Sequence, residues 1–138
     1  MHINSFSSLA ILVWSYGALE VQAAALRSGG YINSCNSLAY FKSTVNPKGW
    51  TIVGNCARSA TDYNVDARIV IGTCIGNVGG KLVYLPGGAF GNSCSDVTFG
   101  GPEGSIMTAK CGDGNGLILT TQIDLNTVFG NGNGNLVC

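Results

Sequence analysis

The chain has 138 residues with seven basic and seven acidic side chains, 21 glycines and six cysteines, so its formal net charge at neutral pH is zero. A charged fraction of 10% beside a hydrophobic fraction of 46% argues against disorder, and the lack of a basic surplus argues against nucleic acid or anionic lipid as a partner. The length suits one domain, and the glycines show no G-X-Y period, which excludes collagen.

The first element reads as an address. Residues 9–19 form an apolar run, shorter than the roughly 20 residues a bilayer requires, and Ala23-Ala24-Ala25 follows it closely. Residues 1–23 are therefore expected to be a signal peptide cleaved near Ala23, although residues 1–8 contain no Lys or Arg. Residues 30–138 are then expected to form a single secreted domain with no membrane insertion. Cleavage would also remove His2, the one histidine of the chain. That excludes Ser-His-Asp and Cys-His catalysis and His-ligated zinc, and it favours a binding protein over an enzyme. Asp62, Asp66, Asp96, Glu103, Asp113 and Asp124 remain for a glycosidase-like carboxylate pair, but acidic residues beside glycine more often shape turns.

Downstream the pattern is strand. Residues 48–56 alternate, with Trp50 and Ile52 on one side, and residues 68–71, 81–85, 105–111 and 117–125 are β-branched runs bounded by Gly, Asn and Asp. Gly112-Asp113-Gly114-Asn115-Gly116 reads as a tight hairpin connection. Only residues 125–129, with Asn126 as a cap, suit a helical turn.

The cysteines Cys35, Cys56, Cys74, Cys94, Cys111 and Cys138 are expected to form three disulfides in a secreted chain; parity alone leaves their pairing open. An internal repeat narrows it. Residues 69–84 align with residues 123–138 at a constant offset of 54, without a gap, and behind them Cys111 falls opposite Cys56 and Cys94 opposite Cys35. Each half, about 31–84 and 90–138, then reads as Cys, strand, Cys, strand, an Asn-containing turn and a final short strand. Cys35–Cys56 and Cys94–Cys111 are equivalent bridges on this reading. Cys74 and Cys138 have no counterparts in the repeat, and they are expected to pair with each other.

Ser34-Cys35 and Ser93-Cys94, a second Cys twelve to thirteen residues ahead of Ile69 and Ile123, Ile123-Asp124-Leu125-Asn126, and the turn from Asn131 to Leu136 together resemble the cyanovirin-N homology family. The resemblance covers nearly all of residues 30–138, the second half more closely than the first. It implies an all-β, disulfide-stabilised protein of two tandem pseudo-symmetric repeats with exchanged strands. It further implies a lectin that binds mannose-type glycans, or glycoproteins bearing them, with neither metal nor cofactor, as a monomer or a domain-swapped dimer. Trp50, Ile52, Ile69, Ile71 and Leu82 would fill the core with Ile106, Ile123, Leu125 and Leu136.

The same resemblance places two sugar sites. The first would comprise Gly30, Asn33 and Ser34 ahead of Cys35, Arg58, Ser59 and Thr61 after Cys56, and Asn131 and Asn133 from the other repeat's turn. The second, weaker site would comprise Asn92 and Ser93, Asp113 and Asn115, and Asn77. Glycines replace several of its longer polar side chains, Gly79 and Gly76 among them. Alanine at Asn131 and Asn133 is expected to abolish binding without unfolding. Asn and Ser beside Gly also serve as plain turn formers, and the alternative function is a secreted interaction protein on the same fold with sugar binding lost.

Overall fold

The computed structural model describes residues 29–45 and 49–138; the expected signal peptide, His2 and Lys48 lie outside the described residues. Among these residues ten strands form. The first repeat contributes β1 (Cys35–Lys42), β2 (Trp50–Ala57), β3 (Tyr63–Val70), β4 (Ile75–Val78) and β5 (Lys81–Tyr84). The second contributes β6 (Cys94–Gly100), β7 (Ile106–Gly112), β8 (Ile118–Asp124), β9 (Gly130–Gly132) and β10 (Asn135–Val137). Short 3-10 turns join them at Tyr31–Asn33, Ile71–Thr73, Phe90–Asn92, Pro102–Gly104 and Leu125–Thr127. No described helix is long and apolar enough to cross a membrane.

Each repeat thus holds five strands where the sequence pattern suggested three. The strands it overlooked lack period-two hydrophobicity for identifiable reasons. β1 and β6 break their ladders at a bulge, where Ser37 and Asp96 both take φ 51, and β9 is only Gly-Asn-Gly. β3 begins at Tyr63 rather than Arg68, and Ile71 and Leu125 leave their strands to start 3-10 turns. The turn at Leu125–Thr127 is capped by Asp124, whose carboxylate accepts from the Asn126 N–H at 2.9 Å; Asn126 itself is not the cap.

β1-β2-β3 and β6-β7-β8 are antiparallel three-stranded sheets, and β4-β5 and β9-β10 are separate hairpins. The hairpins are exchanged: β10 packs on β3 of the first repeat and β5 on β8 of the second. Both turn through two left-handed residues, Gly79-Gly80 (φ 59 and 88) and Asn133-Gly134 (φ 52 and 86), the conformation a two-residue hairpin loop demands. The chain is therefore an all-β protein of two pseudo-symmetric repeats with exchanged strands.

The three disulfides pair as the repeat suggested. Cys35–Cys56 and Cys94–Cys111 each join directly opposed residues of neighbouring strands, with Cα atoms 4.1 Å apart. Cys74–Cys138 spans 64 residues and ties the start of β4 to the chain end beyond β10, linking the two repeats.

One continuous core underlies both halves, built from repeat-equivalent pairs: Ile52 with Met107, Ile71 with Leu125, Ile75 with Phe129, Tyr31 with Phe90 and Leu82 with Leu136. Trp50, Ile69 and Ile123 are half-buried against it. Ile106 is not a core residue. Inward positions on β7 are Met107, Ala109 and Cys111, so the alternation turns Ile106 to the other face.

Tyr40 and Phe99 occupy equivalent positions of β1 and β6 and stack on one another, ring centroids 4.4 Å apart. The Tyr40 hydroxyl donates to the Glu103 carbonyl and shares a 2.8 Å hydrogen bond with the Tyr31 hydroxyl. Burial pushes the Tyr31 phenol far above its ordinary value of 10.0 and raises Tyr40 as well. Both phenols are thus held neutral by the fold, while the unfolded chain ionises them near pH 10. Their contribution to stability is fully present below that pH and is lost above it. Circular dichroism should show alkaline unfolding setting in above about pH 10, and Tyr31→Phe should shift that onset upward.

Candidate functional site

The first expected site is assembled at the end of the β1-β2-β3 sheet. Gly30, at φ 81, donates its N–H to the Asn126 carbonyl at 2.7 Å, and Asn126 Oδ1 accepts from the Ile32 N–H at 3.2 Å. These bonds anchor the Tyr31–Asn33 turn on the second repeat and present Asn33 to solvent. Beside the turn, the loop after Cys56 closes on itself. Ser59 Oγ accepts from the Thr61 and Asp62 N–H groups, and Arg58 approaches Asp62 at 3.6 Å with both side chains well exposed.

Between turn and loop lies an open cleft of about 480 Å³, lined by Asn33, Ser34, Asn36, Ala57, Ser59 and Tyr63, among others. Of the eight expected residues, Asn33, Ser34 and Ser59 line it. The others support it or lie outside its lining. Asn131, on β9 of the exchanged hairpin, donates through Nδ2 to Ser34 Oγ at 3.1 Å and to the Ala57 carbonyl at 2.8 Å, while its Oδ1 accepts from the Gly134 N–H at 2.7 Å. Both amide hydrogens are consumed. Asn131 is a clasp that fixes the cleft wall, so its loss should cost stability as well, contrary to the expectation of binding loss without unfolding. Asn133 sits exposed at the hairpin tip, and Arg58 packs over Gly134, where an added Cβ would lie 2.6 Å from Arg58 Cγ.

The second expected site repeats the clasp without the polar cleft wall. Asn77 Nδ2 donates to Ser93 Oγ at 2.9 Å and to the Gly112 carbonyl at 2.8 Å, and Asn77 Oδ1 accepts from the Gly80 N–H at 2.9 Å. Asp113 is occupied as a turn former, its carboxylate accepting from the Asn115 and Leu117 N–H groups at 2.7 and 3.0 Å. Asn92 lines a different groove, with Gly72 and Thr73. Tyr63 and Ile118 hold equivalent ladder positions, opposite Ala57 and Gly112, as do Asn64 and Leu119, opposite Cys56 and Cys111. Asn64 donates to the Gly134 carbonyl at 2.8 Å in the first site, whereas Leu119 lies against Gly80 in the second. Leu117 and Ile118 are 63% and 70% exposed there, so this end of the molecule is apolar where the first is polar.

Sequence reasoning missed Asn36, Asn64 and Tyr63. Tyr63 was accessible to it, as an aromatic in the same loop-to-strand segment as Ser59 and Thr61; Asn64 became evident only through its partner seventy residues away. Among the described residues, no group of three or more His, Cys, Asp or Glu side chains converges to hold a metal.

A family model described as the CVNH domain matches residues 31–137. The fold is similar to that of GzCVNH from Gibberella zeae, with 20% identity, TM-score 0.65, and coverage of 79% of this chain and 96% of that one. It is likewise similar to a MoCVNH3 variant in complex with (N-GlcNAc)4, with 16% identity, TM-score 0.65, and coverage of 80% and 97%. A third similar structure is microvirin in complex with mannobiose, with 21% identity, TM-score 0.61, and coverage of 79% and 97%. No curated protein matches the chain significantly.

Proposed function

The chain belongs to the CVNH domain family, and from that premise we propose that it is a secreted lectin that binds mannose-type glycans at its first site, without metal and without catalysis. The observation that carries this reading is the open cleft between the Tyr31–Asn33 turn and the loop after Cys56. A neutral sugar is recognised by several rigid small donors and acceptors rather than by charge. Asn33, Ser59 and Asn36 supply them from exposed positions, and Tyr63 adds an aromatic ring. Microvirin, a neighbour in fold, is complexed with mannobiose, which supports the choice of sugar. Export is supported by the apolar run ahead of Ala23 and by the pairing of every cysteine in disulfides.

The second site favours loss of sugar binding at that end, since the clasp is common to both sites but Leu119 stands where the first site has Asn64, and the neighbouring Leu117 and Ile118 make the surface apolar. Calorimetric titration with mannobiose should therefore give a stoichiometry of one, unchanged by a metal chelator. Asn33→Ala should weaken binding by about thirtyfold if it removes two hydrogen bonds of about 1 kcal/mol each. Two sites of equal affinity, or no heat at millimolar sugar, would overturn the assignment.

A further inference from the structure

A second concave surface lies where the two repeats meet. One cleft, of about 430 Å³, is lined by Lys42 and Trp50 from the β1–β2 pair and by Ser95, Asp96 and Val97 from β6. An adjoining cleft of about 330 Å³ carries Gly72, Gly87 and Asn92, and Gly91 lines both. Gly72, Gly87 and Gly91 carry no side chain, so at these points of the lining a ligand can approach peptide groups closely. Trp50 is half-buried, its ring edge-on to Phe99 at 5.1 Å, and it forms part of the cleft wall.

The charges are unequal. Asp96 is held by Lys110, with Nζ 3.3 Å from its carboxylate. Lys42 is exposed and has no ion-pair partner among the described residues. The groove thus offers an indole, one ammonium without an ion-pair partner among the described residues, the Asp96 carboxylate already paired with Lys110, and the polar groups of Ser95 and Asn92. We propose that it binds an acidic oligosaccharide, a chain of uronic-acid type, at a site distinct from the first. The apolar face of a pyranose ring packs on Trp50, its carboxylate pairs with Lys42, and its hydroxyls meet Ser95, Asn92 and the glycine backbone. A neutral sugar leaves Lys42 unused, and an acidic peptide offers no flat C–H face to the indole.

The test is an NMR titration of the full chain with tri-galacturonate, with neutral galactotriose and tri-glutamate as comparisons. Tri-galacturonate should shift the Trp50 indole N–H and the Gly91, Asn92 and Ser95 amides, with an affinity that falls as salt is raised. Lys42→Met, on an exposed side chain, should weaken that binding about fivefold and leave mannobiose binding at the first site unchanged. Trp50→Phe, which keeps an aromatic against Phe99, should weaken it further. No groove shifts at millimolar tri-galacturonate, equal binding of galactotriose, or equal binding of tri-glutamate would each overturn the proposal. Because mannobiose is measured separately, loss of the first-site reading would be seen as a different failure.

Discussion

Replacing Cys74 and Cys138 together by alanine should lower the unfolding free energy by about 4 kcal/mol in the chain-entropy account of a loop of this length, measured as a shift of the denaturation midpoint. The bridge spans 64 residues, against 21 and 17 for the other two, and it alone among the three connects the repeats. Alanine is the informative replacement because Cys74 is fully buried with its sulfur 3.4 Å from Thr73 Oγ1, and a serine hydroxyl there would add a polar contact that confuses the comparison. The folded spectrum should survive, since both sheets, the exchanged hairpins and the other two bridges remain. A cost below about 1 kcal/mol would mean that the bridge adds little constraint to the unfolded chain.

The second large effect is expected at Asn131. Alanine there removes two donated bonds and one accepted bond, leaving Ser34, the Ala57 carbonyl and the Gly134 N–H without their partner. At about 1 kcal/mol for each ordinary hydrogen bond the loss is about 3 kcal/mol. Binding at the first site should fall with it, because the clasp holds the Ser34 and Ala57 wall. Asn77→Ala is the internal control. It breaks the mirror-image clasp and should cost a similar amount of stability while sparing mannobiose binding at the first site. If both variants lost binding equally, general destabilisation rather than local support would explain the effect.

The fold was legible in the sequence to the extent that it is written in periodicity and duplication. The gapless offset between residues 69–84 and 123–138 pointed to the repeat, and the cysteines that follow or break that repeat paired accordingly. What escaped was written in backbone geometry. The left-handed bulges at Ser37 and Asp96 interrupt the alternation that would have revealed β1 and β6. Asn126 was read as a cap, yet its main task is to receive Gly30 and Ile32 from the far end of the domain. The same limit applied to the site. Short polar residues beside glycine were recognisable as candidates, but only the contacts divide them into the exposed Asn33, the clasps Asn77 and Asn131, and the turn former Asp113.

The claim on which the functional account rests is that one polar cleft, built from both repeats, binds sugar while its apolar counterpart does not. Mapping amide and side-chain NMR shifts during mannobiose titration tests it most directly. The account predicts shifts at Asn33, Asn36, Ser59, Tyr63 and the Asn133 hairpin tip, with Asn115, Leu117 and Ile118 unmoved. Shifts centred on Asn115, Leu117 and Ile118, or none at the first cleft at millimolar mannobiose, would contradict it.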